Sequence, residues 1–236
     1  MIKSTVLRVI GERNAGRLDY FFDRKSADAW GPLNGQRIRQ GVYKEIIKRI
    51  DFQAIVETGT YRGTTTAYFA ESGLPVFTVE IHPRCFAYAS LRFRNQERVR
   101  VSEGNSPDFL RELARQPETP RSRVFFYLDA HVQDSSRYHK APLVEELEII
   151  FSHWQEAVVM VDDFQVPGTA YSFDDWGPGR NLCVDCFEPL KDVGLTAFFP
   201  AADVTSETGA KRGWVVVCRE SHIVQTLSEI TGLRQH

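Results

Sequence analysis

Five polar clusters are spaced along the middle of the chain: Glu57, Glu80, Gly104-Asn105-Ser106, Asp129-Ala130-His131 and Asp162-Asp163. The first sits in F-Q-A-I-V-E-T-G-T-Y-R-G-T-T-T, residues 52–66, where a short apolar run is followed by Glu57-x-Gly59-x-x-x-Gly63 and a run of threonines. Glycines at a strand-to-helix turn permit tight backbone angles and let a ligand approach the main chain. The helix that follows aims its free N–H groups at the same place. Glu57 occupies the position where a dinucleotide turn has its first glycine. A carboxylate there repels a pyrophosphate, which argues against a nicotinamide-dependent oxidoreductase, and suits a ligand with an ammonium group. Glu80 ends the next apolar run, roughly 20 residues on, the spacing at which an acid holds ribose hydroxyls in βαβ units. A nucleoside with a cationic amino-acid tail, as in S-adenosylmethionine, meets both demands. The plainer alternative is a βαβ crossover whose acids cap helices.

The elements that must position these residues alternate regularly. Ile38, Val42, Ile46, Ile47 and Ile50 recur at helical spacing, so residues 36–50 form an amphipathic helix leading into a strand at Ala54-Ile55-Val56. Helices are expected from Thr64 to Glu71, Pro83 to Phe93, Ser106 to Ala114 and Pro142 to Trp154, with another near Val184 to Val193. Between them lie strands at 76–80, 99–101, 124–128, 157–161, 195–199 and 214–218, and a C-terminal helix closes the chain. This alternation predicts an α/β, Rossmann-like doubly wound, mainly parallel seven-stranded sheet with an antiparallel last strand. Residues 1–35 are read as an N-terminal arm and 36–236 as a single domain. All five polar clusters then fall at the carboxyl ends of strands, where such sheets bind ligands.

With 236 residues, 42% of them hydrophobic, the chain can bury a large core without disulfides. A net charge of -2 gives no electrostatic case for nucleic acid. The Cys183-x-x-Cys186 pair lacks a second pair or a nearby histidine and reads as two unrelated thiols. No apolar run approaches the roughly 18 residues that span a bilayer, and nothing near the N-terminus resembles a signal peptide. The expectation is a soluble, cytoplasmic protein acting on a small molecule or glycan, with no membrane or nucleic-acid partner and room for a homo-oligomer.

E-T-G-T-Y-R-G-T-T, V-E-I-H-P, E-G-N-S, Y-L-D-A-H and V-D-D-F, in this order, resemble the class I S-adenosylmethionine-dependent methyltransferases. More narrowly they are similar to the metal-dependent small-molecule O-methyltransferases, the catechol-type and macrolide-sugar-type enzymes. The resemblance covers about Ile55 to Phe164. It implies that Glu57, Gly59, Thr60, Tyr61 and Gly63 lie along the methionine part of the cofactor. Glu80 would hold the ribose and Ile81 pack on the adenine, with Asn105 and Ser106 at the adenine edge. Asp129, beside the cofactor, would join Asp162 and Asp163 in binding a divalent cation, with magnesium expected. Three carboxylates at adjacent strand ends repel one another unless a cation or shared proton intervenes. Such an ion would hold the acceptor's oxygens and lower the hydroxyl's pKa. A silent relative that only binds a nucleoside or a protein partner is the alternative from another class.

Two departures bear on the chemistry. Asp163 stands where the catechol-type enzymes place an amide, and Val132 where they place a lysine base. His131 is the nearest titratable substitute and, with Asp129, the expected catalytic pair; His139 and Lys140 come next. The unpatterned stretch from Phe164 to Cys183 carries Tyr171, Phe173 and Trp176 and is expected to form an aromatic lid. A second polar loop, residues 206–212, could approach the same mouth.

Overall fold

The structure is a computed structural model that describes residues 10–22, 30–130, 142–175 and 181–236. Strands β1 (Ala54–Thr58), β2 (Val76–Glu80), β3 (Val99–Glu103), β4 (Val124–Leu128) and β5 (Val158–Val161) run parallel in the order β3-β2-β1-β4-β5. Beyond β5 the sheet continues with β7 (Val215–Cys218), which is antiparallel to both β5 and β6 (Thr196–Pro200). An eighth strand, β8 (Leu233–Gln235), pairs antiparallel with β6 at the outer edge. The seven-strand expectation is therefore one short. A three-residue Leu-Arg-Gln segment behind a helix carries no measurable alternation, and its partner lies far upstream.

Helices cover both faces of the sheet. α2 (Arg37–Arg49), α3 (Thr64–Ala70), α4 (Pro83–Phe93) and α7 (Ser221–Ser228) pack with Ile55, Phe125, Tyr127 and Met160 on one face. α5 (Ser106–Leu113), α6 (Leu143–His153) and a 3-10 helix at Val184–Val193 cover Val56, Phe126, Val159 and Val217 on the other. Successive residues of β4 thus feed opposite cores, as the two-residue period of a strand requires. Each fully buried Leu, Ile or Phe contributes about 1.5–3 kcal/mol. Pro189 lies inside the 3-10 stretch, where the expected helix has one donor fewer to offer.

Upstream of these, α1 (Glu12–Phe22) lies against α4. Asp19 takes the Arg84 guanidinium at 2.6 Å, and Tyr20 meets Tyr88 edge-on at 5.6 Å. No helix among the described residues is long and apolar enough to cross a membrane.

Candidate active site

The turn after β1 is built from below. Glu57 is buried under it and accepts hydrogen bonds from the hydroxyls of Thr66 at 2.5 Å and Thr78 at 2.7 Å. Burial pushes its carboxyl up to about 7. Glu57 therefore braces the turn from within the core instead of facing a ligand. Glu80 ties the first turn to the second, accepting the Tyr61 N–H at 2.6 Å and the His82 N–H at 2.7 Å. Burial raises its carboxyl too, against those backbone bonds. Gly59 has φ 86°, and a Cβ there would overlap the carbonyl of Asp129, so the ends of β1 and β4 approach as only glycine allows. Gly63 precedes the first residue of α3.

A cleft of about 270 Å³ opens above these strand ends. Gly59, Thr60, Tyr61 and Asp129 line it, with Tyr127 at its base. Ile81, Asn105 and Ser106 lie at the ends of β2 and β3 and are not among its walls. Asn105 caps α5 by accepting the Asp108 N–H at 3.0 Å.

Further lining comes from the end of the segment that the sequence assigns to an N-terminal arm. Trp30, Gly31 and Asn34 line the cleft, and the Trp30 ring, like that of Tyr61, is largely exposed. Leu33 and Asn34 both have left-handed backbone, with φ 51° and 59°. Several contacts hold that conformation. Leu33 N–H donates to the Thr65 hydroxyl at 3.2 Å, and Asn34 O accepts the Ala210 N–H at 2.9 Å. A Cβ on Gly209 would overlap the Asn34 carbonyl, so the loop between β6 and β7 presses directly on this segment.

That loop also starts α2. Gln36 offers no side-chain cap; the Glu207 carboxylate instead accepts the N–H groups of Ile38 at 3.0 Å and Arg39 at 3.2 Å. Thr208 Oγ1 accepts the Arg37 N–H at 3.1 Å. The orphan donors of the first helical turn are thus satisfied from the far end of the chain.

Arg39 is the residue the sequence reading missed. It lies one turn before Val42 and Tyr43 on the buried stripe of α2, a lone charge on an apolar face, and that mismatch was the available signal. Its Nη1 donates to Asp162 Oδ1 at 2.7 Å, and neither side chain is exposed. Asp162 Oδ1 also accepts the Asp163 N–H at 2.7 Å. Its Oδ2 accepts the Tyr127 hydroxyl at 2.5 Å and Asn34 Nδ2 at 2.9 Å. Burial works against the ionised form, but the Arg39 charge and these bonds hold Asp162 below the usual carboxylate range. Asp163 is paired with Arg212, which also grips Asp174. Burial and the Asp162 charge push Asp163 up to about 6.

The carboxylates expected to share a cation are therefore not an open donor set. Asp162 has no lone pair to spare, since an ionised carboxylate has about four acceptor positions and four donors fill them. No group of three metal-ligating side chains is present among the described residues. The arrangement does not fit the magnesium site that the resemblance implies. Asp129 differs from its neighbours: it is half-buried, is among the residues lining the cleft, and has no side-chain hydrogen bond among the described residues. Burial, then the charges of Asp162 and Asp163, push its carboxyl well above the ordinary range.

His131, Val132, His139, Lys140 and Trp176 lie outside the described residues. Tyr171, expected in a lid, is instead buried in the core with its hydroxyl on Ala202 O at 3.2 Å. The polar loop at 206–212 does reach the site, through Arg212 and Gly209. Cys183 and Cys186 are free thiols at the start of the 3-10 helix.

No family model and no curated protein matches the chain. Solved structures do. A Klebsiella pneumoniae protein described as a "putative O-methyltransferase" is similar over 93% of this chain and 96% of its own, with 16% identity and a TM-score of 0.53. The SAH-bound methyltransferase PaMTH1 of Podospora anserina is similar over 89% of this chain and 88% of its own, at 15% identity and a TM-score of 0.51. At such identities the likeness is one of fold, the Rossmann-like α/β sheet found in methyltransferases.

Proposed function

We propose, on the premise of that fold, that the chain transfers a methyl group from S-adenosylmethionine to a hydroxyl of a small molecule or glycan. The observation that carries this reading is the cleft at the carboxyl ends of β1 and β4, lined by the Gly59–Tyr61 turn and by Asp129. When bound, the cofactor supplies an electrophilic methyl group, which leaves the sulfur as the acceptor oxygen takes it.

This chain's own residues do the rest. The turn at Gly59, Thr60 and Tyr61 holds the amino-acid tail through its backbone. Glu80 keeps lone pairs beyond those used by Tyr61 and His82, and these take the ribose hydroxyls. Ile81, Asn105 and Ser106 complete the adenine end. Trp30 and Tyr61 offer aromatic faces at the mouth, which suit a ring or sugar acceptor. Asp129 accepts the proton that the acceptor hydroxyl must lose, a role for which a raised carboxyl is suited. His131, two residues on, is the second candidate base. A metal-assisted form of the reaction has no support in the filled oxygens of Asp162.

Calorimetry with S-adenosylhomocysteine tests the reading. Binding is expected, and Glu80→Ala should weaken it by about 1–3 kcal/mol, the scale of a lost hydrogen bond to a charged group. Tight binding of NAD with no response to either adenosyl ligand would overturn it.

A further inference from the structure

We infer that Arg39 and Arg212 are the built-in cations of this site, standing where a divalent ion would otherwise balance the aspartates. Arg39 reaches Asp162 from α2, fully buried, with its guanidinium 5.3 Å from the centre of the Tyr127 ring. Arg212 reaches Asp163 from the loop between β6 and β7. The two arginines arrive from opposite ends of the chain, and each is fixed by contacts separate from its aspartate. Arg39 is held through the Glu207 bond to its own backbone, and Arg212 through Gln36, which accepts the Arg212 N–H at 3.1 Å and donates to its carbonyl at 2.9 Å.

A hard divalent ion needs several open oxygen ligands in a compact shell. Here both oxygens of Asp162 are taken, and an ion placed against them would lie beside a buried guanidinium of the same sign. Planar guanidinium suits this work better than ammonium, because it stays charged when buried and presents several donors in a fixed fork. Arg39 is thus a positioning residue. It keeps Asp162 ionised and out of the reaction, and leaves Asp129 as the carboxylate open to the cleft. The consequence for catalysis rests on the methyl-transfer reading; the charge arrangement itself does not.

Manganese titration followed by electron paramagnetic resonance tests the inference without any assay of activity. The parent protein should bind no manganese at this site, and chelator should leave its affinity for S-adenosylhomocysteine unchanged. Arg39→Ala, by opening one acceptor position on Asp162 and removing the like-charged neighbour, should raise manganese affinity at least about tenfold, the range over which supporting groups tune a metal site. Adding Asp129→Asn to that variant should remove the gain. If Arg39→Ala does not fold, Arg212→Ala asks the same of Asp163, with the same expected gain. Tight manganese binding by the parent that Asp129→Asn abolishes would overturn the inference. So would a folded arginine variant with no gain. Failure to bind S-adenosylhomocysteine would instead count against the proposed function and leave the ion result standing.

Discussion

Arg39 Nη1 lies 2.7 Å from Asp162 Oδ1, and both side chains are wholly excluded from solvent. Pairing in so dry a place balances a heavy desolvation cost, so removing one partner leaves the other charged and uncompensated. Arg39→Met is expected to destabilise the fold by about 3–5 kcal/mol in urea melts. Adding Asp162→Asn should recover part of that loss, because it removes the uncompensated charge while its amide oxygen still accepts hydrogen bonds. A single-variant loss below about 1 kcal/mol would place the pair among solvated ion pairs.

Asp129 and His131 can be told apart by kinetics. Asp129→Asn should slow methyl transfer by about 10²–10⁴-fold, the range for a positioned base, while leaving affinity for S-adenosylhomocysteine within a few-fold. The parent's rate should rise with pH, because the base works only when deprotonated and the Asp129 carboxyl is held high. If His131→Ala shows the larger loss and Asp129→Asn turns over normally, the proton goes to the histidine.

Glu146 provides a stability signature. It is fully buried on α6, with the Ser106 and Thr58 side chains as the polar groups that partly offset its burial. Burial pushes its carboxyl up to about 7, from an unfolded value of 4.5. A carboxyl raised on folding stabilises the fold while protonated. That contribution is full below 4.5 and is lost as pH climbs through 7. Glu146→Gln does not titrate, so it should gain on the parent across this window by up to about 3 kcal/mol. Melts at closely spaced pH values give the gap; a constant difference from pH 4 to pH 8, about the span that matters, would show that Glu146 is not desolvated.

Strands β1 to β5 and helices α2 to α6 were legible because each carries its own periodicity or its own cap. Pro83 at the start of α4 is a local signal that the structure uses as such, while the cap expected at Ser106 falls one residue earlier, on Asn105. The site was legible only as a set of strand ends. Asp162 and Asp163 were read as open ligands because nothing within a few residues of them is basic. Their arginines come from 123 and 49 residues away in the chain. Trp30 and Asn34 were hidden for a similar reason: the contacts that hold the segment carrying them, to Thr65 and Ala210, come from residues far along the chain. Glu57 shows the converse. The sequence places it in the motif, but only the threonines around it reveal that it points inward.

The bond between Glu207 and the start of α2 spans 168 residues. During synthesis, therefore, the wall of the cleft made by residues 30–39 can reach Thr65 and Asp162 early, but lacks its contacts from Glu207, Thr208 and Ala210 until the loop between β6 and β7 has left the ribosome. A nascent chain that ends after β5 can pair its parallel strands, yet it lacks both the carboxylate that starts α2 and the arginine that holds Asp163. The cleft is thus among the last parts of the molecule to be completed, although the strand-end motifs beneath it are translated well before that loop.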